Sequence, residues 1–169
     1  MRRLFFAFWP SDATRKTVGQ FSQTLKARDL KIVKADNLHV TLVFLGNVDA
    51  QTERVIRQKA SSIRAQPFML NFNQLAFWHK PRVLCLLSQT VDPQLLVLVD
   101  ALTEIVEQCA IKIEDRPYQP HITLARKAQA LINANVPDMP WYARSFCLVE
   151  SCSMPEGVQY RVVQQWELG

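Results

Sequence analysis

The chain of 169 residues has no apolar run approaching the roughly 20 residues that a membrane-spanning helix needs. Its opening, MRRLFFAFWPSD, lacks the longer apolar core and small-residue cleavage site of a signal peptide, so the expectation is a cytoplasmic protein without a membrane partner. The four cysteines, Cys85, Cys109, Cys147 and Cys152, lack CxxC or any metal-ligand spacing and read as small hydrophobic residues. Histidine is scarce as well, with three in all, and His79 in FWHKPR has no carboxylate or thiolate at ligand spacing beside it. A zinc site wants a third or fourth ligand, so His79 reads as a loop residue. Low-complexity tracts and interdomain linkers are also missing.

What the chain does have is apolar: 49% of its residues are hydrophobic, enough for one sizeable core in a single domain spanning residues 1–169, or in two intimately packed lobes. The net charge of +5 suits an anionic partner such as RNA or nucleotides. The basic residues are nonetheless dispersed, and most read as solvated faces.

RLFFAFW reads as a buried strand. The segment after it carries a Ser11 or Asp12 cap and apolar Val18, Phe21 and Leu25 at helical spacing. LHVTLVFLG is a second strand, ended by Gly46, and DAQTERVIRQKASSIR is amphipathic through Ile56, Ala60 and Ile63. FMLNFNQLAFW and RVLCLLS form an antiparallel hairpin around HKP. A third helix starts at Asp92 with Pro93 in its first turn and carries Leu95, Val99, Leu102, Val106 and Cys109 on one stripe. After it comes the strand in RPYQPHITLARK, the Pro-containing loop NANVPDMPW, and a closing hairpin around MPEG. The mixture of helices and antiparallel strands indicates an α+β fold, and the element order hints at an internal duplication.

His39 and Thr41 lie two apart on one strand, so alternation sends both to one face about 6.5–7 Å apart, with Val40 and Leu42 in the core. His121 and Thr123 repeat the arrangement with Ile122 and Leu124 opposite, and the histidines are close to half the chain apart (121 − 39 = 82). A pseudo-twofold arrangement brings them together across a cleft. Two facing histidines supply what phosphodiester cleavage near neutral pH needs, a neutral imidazole to accept a proton and an imidazolium to give one. Each threonine hydroxyl can donate to nonbridging phosphate oxygens. A single histidine on a half-buried strand is ordinarily structural, but packing gives no reason to repeat the polar pair.

NLHVTLVFLG and RPYQPHITLAR, each with an HxTx motif, resemble the two signatures of the 2H phosphoesterase superfamily, and within it the chain is most similar to the RNA 2′,3′-cyclic phosphodiesterases long called 2′-5′ RNA ligases. The opening RLFFAFWP, the ADNLHVTL segment and the closing YRVVQQWEL share that likeness. The resemblance implies a bilobal fold, two pseudo-twofold-related lobes of antiparallel sheet and helices around a basic cleft, acting as a monomer with no metal or organic cofactor. It implies opening of a 2′,3′-cyclic phosphate at an RNA end to a 2′-phosphate, with His39 as proton donor to the 3′-oxygen, His121 as proton acceptor from water, and Thr41 and Thr123 on the phosphate oxygens. A reverse reaction would form 2′-5′ linkages without ATP.

The resemblance also marks Arg126 as a phosphate-binding arginine. Strand parity objects, because unbroken alternation puts Arg126 with Ile122 and Leu124 unless the strand ends, twists or bulges after Ala125. Phe44, a candidate for stacking a base, falls by the same parity with Val40 and Leu42, where core packing is the expectation. Tyr118 reads either as a stacking residue at the cleft rim or as a loop aromatic covering the core. Gln119 stands where family members often carry a histidine. The alternatives to the RNA enzyme are a nucleotide- or RNA-end-binding module on the same scaffold, and a phosphodiesterase acting on small cyclic nucleotides.

Overall fold

The computed structural model describes residues 1–169. Strand β1 (Arg2–Phe8) leads to helix α1 (Asp12–Thr24), the two-residue strand β2 (Lys31–Ile32), a 3-10 turn (Ala35–Asn37), β3 (Val40–Val48) and α2 (Ala50–Ala60). Then come β4 (Phe68–Trp78), β5 (Val83–Ser88), α3 (Pro93–Gln108), β6 (His121–Arg126), β7 (Met139–Ala143), β8 (Ser145–Met154) and β9 (Gly157–Glu167). Each helix begins where a side chain can satisfy its free amides: Ser11 accepts from the Thr14 N–H, Asp49 from those of Gln51 and Thr52, and Asp92 from that of Gln94, with Pro93 opening α3. No helix is long and apolar enough to cross a membrane.

The strands form one curled antiparallel sheet in the order β7-β4-β5-β6-β3-β1-β8-β9, with β2 added beside β6. It consists of two four-stranded halves, and the seam between them is a single pairing, Val40 opposite Ile122. These two residues occupy the same place in the two HxTx motifs. The pseudo-twofold axis therefore passes through the seam, which sets the two motifs back to back.

Alternation along β1 shows how the faces divide. Leu4, Phe6 and Phe8 join the main core with the apolar stripes of all three helices, Val18 and Phe21 of α1, Ile56 of α2, and Leu95, Leu98, Leu102 and Val106 of α3. Phe5 and Ala7 point the other way and pack with Cys147, Val149, Trp9 and Tyr160 in a second, smaller cluster. Helices thus cover one face, and the other is the concave cleft. On the helix face the Arg2 guanidinium reaches both Glu53 (2.8 and 3.0 Å) and Glu150 (2.8 Å), tying β1 to α2 and β8. Arg2 and Arg161 hold the Glu150 carboxyl down at about 2.

Three sequence expectations need correction. Gly46 does not end the strand: β3 runs on to Val48, with Gly46 at φ 72° where Leu45 is left without a partner on β1. The last three residues of NANVPDMPW are not loop, because Met139–Ala143 pairs with β4 as an edge strand, a place where proline is tolerated. The Lys31–Ile32 strand was not foreseen, being too short to carry a period.

Because the two halves meet in so short a pairing, with only β2 against β6 and the Val33 N–H on the Leu124 carbonyl to extend it, the seam is where truncation should cost most for its size. Ile122 is fully buried. The Ile122→Ala variant is expected to lose about 2–5 kcal/mol of unfolding free energy in urea titrations. A loss under about 1 kcal/mol would mean the helices, rather than the seam, hold the halves together.

Candidate active site

The parity objection fails for a structural reason that repeats in both motifs. On β3, Thr41 pairs with Ala7 and Val43 with Phe6, so Leu42 is an extra residue in the ladder. On β6, Thr123 pairs with Cys85 and Ala125 with Leu84, so Leu124 is the extra residue. Each motif thus carries a β-bulge immediately after its threonine, and both the bulged leucine and the following residue turn to the helix core. Alternation then resumes in the opposite phase. Phe44 and Arg126, which correspond in the two motifs, are both exposed, on the histidine face. The sequence had admitted a break only after Ala125; the break comes one residue earlier.

Phe44 is therefore not a core residue. It is 47% exposed, its ring lies parallel to that of Phe5 (5.8 Å between centroids, 5° between planes), and the Arg3 guanidinium sits 5.1 Å above it. Phe5 in turn packs against His39 at 5.0 Å. Tyr118 resolves in favour of the core: it is half-buried against the main cluster, and its hydroxyl donates to the Thr41 carbonyl (3.0 Å), pinning the loop before β6 to β3. Burial raises its phenol's pKa, and it is not free at the rim. His79 sits exposed in the β4–β5 turn against Phe77 (4.7 Å), which packs on the helix side.

The two imidazoles are anchored alike. His39 Nδ1 lies 2.7 Å from the Asn37 carbonyl and His121 Nδ1 2.9 Å from the Gln119 carbonyl, in each case the backbone two residues upstream. A carbonyl only accepts, so each Nδ1 carries the proton and each neutral ring presents Nε2 as its basic atom. His39 Nε2 is 3.0 Å from Thr41 Oγ1, whose hydroxyl donates to it. An aromatic surround holds each ring: Trp9 stacks on His39 (6.0 Å, 17°) and Tyr160 meets its edge (4.9 Å, 86°), while Trp78 lies 4.5 Å from His121.

That surround depresses both histidines. Burial is the main cause of the fall of His39 to about 4, and the neighbouring charges of His121 and Arg126 add to it against the pull of the Asn37 carbonyl. His121 is lowered too, by burial first and then by Arg116, against the Gln119 carbonyl. His39, His121 and Arg126 thus sense one another across one cleft. Both thiols on this face, Cys85 and Cys147, are pushed up to about 12 by burial and stay protonated.

Sequence reasoning missed Asn37, Arg116, Trp9, Tyr160 and Trp78. Arg116 and Asn37 stood in the quoted motif stretches and carried no spacing of their own. Trp9 was hidden because RLFFAFW is apolar on both faces, which leaves no polar face to mark the cleft side.

A family model described as the 2′-5′ RNA ligase superfamily matches residues 10–150. A protein of Escherichia coli (strain K12) named RNA 2′,3′-cyclic phosphodiesterase is 29% identical over 170 residues, covering 99% of this chain and 97% of that one. One of Methanocaldococcus jannaschii with the same name is 24% identical over 175 residues, covering 97% and 99%. Among solved structures, apo LigT of E. coli superposes with a TM-score of 0.91 at 28% identity, covering 99% of this chain and 97% of that one. LigT complexed with 3′-AMP gives 0.92 at 28% identity, covering 99% and 98%. The family match takes in both HxTx strands, the bulged segments after them and most of the sheet that joins them, and the chain belongs to the 2′-5′ RNA ligase superfamily.

Proposed function

We propose that this protein is an RNA 2′,3′-cyclic phosphodiesterase that opens the cyclic phosphate to a 2′-phosphate end. The observation that carries the reading is the matched anchoring of His39 and His121, each with Nδ1–H committed to a backbone carbonyl and Nε2 left as the working atom. The names of the relatives from E. coli and M. jannaschii support the same substrate class, and 3′-AMP in complex with LigT supports a site that takes a nucleoside phosphate.

In this reading His121 Nε2 takes a proton from water as the water oxygen attacks phosphorus. The bond from phosphorus to O3′ breaks, and the proton on His39 Nε2 passes to O3′. Thr41, Thr123 and Arg126 hold the nonbridging oxygens, where charge gathers in the transition state, and the exposed part of the Phe44 ring is offered to the base. With an RNA 5′-hydroxyl in place of water, the same proton transfers join two strands through a 2′-5′ linkage and consume no ATP.

The acid role of His39 needs the anion. In the empty cleft His39 is unprotonated at neutral pH, because burial, His121 and Arg126 all oppose its charge. A phosphate seated between them offsets those cations and raises the histidine toward the range where it holds a proton. In the free enzyme the pair has two apparent pKa values, the upper one below the ordinary 6.5. The pH profile of kcat/KM is accordingly expected to be a bell lying largely on the acid side of pH 6.5, with that of kcat displaced to higher pH. Coincident profiles with an optimum above pH 7 would remove this account of the acid.

His39→Ala and His121→Ala are each expected to lose about 10²–10⁴-fold in the rate of cyclic-phosphate opening, assayed in excess chelator on a short RNA, with the double variant little worse than either. Full activity in both single variants would eliminate the two-histidine mechanism.

The side chain of Asn37 ties the cleft edge together. Its Nδ2 donates to the Val158 carbonyl (2.8 Å) and its Oδ1 accepts from the Tyr160 N–H (3.2 Å), so the turn that orients His39 is fastened to β9 and the Tyr160 ring. Asn37→Ala is expected to lower kcat about 10- to 100-fold with KM little changed. Gln119→Ala, which keeps the only group that His121 uses, should cost far less, and equal losses at the two positions would refute the positioning role.

A further inference from the structure

Most carboxylates that meet arginines do so away from the cleft, Glu53 and Glu150 with Arg2 being the main cluster. In the cleft, Arg116 pairs with Glu114 (3.0 Å) while Arg126 has no carboxylate partner. Beside Arg126, the short strand β2 adds another cation: Lys31 is directly opposite Arg126 in the antiparallel register, and Ile32 is opposite Ala125. Directly opposed residues share a face. Ile32 and Ala125 pack into the main core on the helix side, so Lys31 and Arg126 project together on the cleft side. Both are exposed, and no carboxylate oxygen lies within 4.0 Å of either cation.

Two like charges directly opposite on a ladder are unfavourable in the empty protein. Bound phosphate relieves that repulsion, and a nucleic acid can bring one phosphate to each cation. The cyclic phosphate between the histidines engages Arg126 in the reading above, and Lys31 stands directly beside Arg126 with its own charge free. By the pseudo-twofold relation, Phe44 and Arg126 point toward opposite ends of the cleft, and a single terminal nucleotide spans the distance between a stacked base and its phosphate. Lys31, level with Arg126, stands at the phosphate end of that span.

We propose that Lys31, beside Arg126, forms a second phosphate subsite that takes a backbone phosphodiester of RNA, so that this cleft selects oligonucleotide ends over mononucleotides. The proposal rests on the cyclic-phosphodiesterase reading for the place of the terminal phosphate. The phosphodiester has two possible sources, the bond upstream of the terminal nucleotide or the first bond of an incoming strand with a 5′-hydroxyl.

Binding tests the subsite without relying on turnover. Wild type, Lys31→Gln and Lys31→Glu are titrated calorimetrically with a trinucleotide ending in a 2′-phosphate and with a nucleoside 2′-monophosphate across a range of salt. Lys59→Gln, on α2 where Lys59 Nζ donates to Gln108, makes the same net charge change on the helix face. Lys31→Gln is expected to weaken the trinucleotide about fivefold more than the mononucleotide and to reduce its salt slope by about 0.7, with the larger loss in Lys31→Glu and no such difference in Lys59→Gln. A second titration uses a 5′-hydroxyl trinucleotide without a terminal phosphate, with inorganic phosphate occupying the histidine site. A loss confined to the first titration assigns the upstream phosphodiester, and a loss confined to the second assigns the incoming strand. Equal weakening of trinucleotide and mononucleotide, or no difference from Lys59→Gln in either titration, overturns the subsite. Failure of the cyclic-phosphodiesterase reading would instead be seen as absent turnover by the wild-type protein.

Discussion

One backbone pairing, Val40 with Ile122, decides how everything else in this molecule is arranged. Each half of the sheet has its own hydrogen-bonded ladder, and each buries one face against helices. The β2–β6 pairing and the Tyr118 hydroxyl on the Thr41 carbonyl brace the same junction, and the Val40–Ile122 pair sets the register in which the two motifs meet. Because the seam residues immediately follow the histidines in both motifs, a pairing between main chains is converted into a juxtaposition of side chains. Both residues belong to the common core, so the joint is set by apolar packing as much as by hydrogen bonds.

The cleft face makes opposite demands from the helix face. Its apolar members, Phe5, Ala7, Cys147 and Val149, are few, and they serve as a floor that keeps water from His39. The histidines pay for that dryness with a reduced grip on protons. In the proposed reading an anion seated among His121, Arg126 and Arg116 reverses the balance, and the ligand itself completes the proton inventory of the site. Backbone carbonyls at Asn37 and Gln119 keep the tautomers fixed throughout, since a carbonyl oxygen cannot change its role as acceptor.

Much of the architecture was legible in the residues. The strands and helices followed apolar period and capping chemistry, and the repeat of His-x-Thr at half-chain spacing announced the duplication. The misses share a cause: short or edge segments such as Lys31–Ile32 and Met139–Ala143 bury too little to leave a period. At Phe44 and Arg126, local alternation gave the opposite face, because a bulge is a property of the pairing between strands and no single strand encodes it. The Tyr118 hydroxyl reaching the Thr41 carbonyl likewise depends on a contact across the chain. Membership of the family reached the HxTx residues; the face of each neighbour had to come from register.

The paired bulges also bear on how a nearly symmetric cleft reads direction. A nucleic acid strand is polar, whereas a main chain related by a pseudo-twofold axis looks alike from either end. Bulging at Leu42 and at Leu124 delivers one outward position from each half to the cleft surface, and the chain fills one with an aromatic ring and the other with a guanidinium. In the proposed reading, that difference between two corresponding residues, Phe44 and Arg126, lets the site tell one end of a strand from the other.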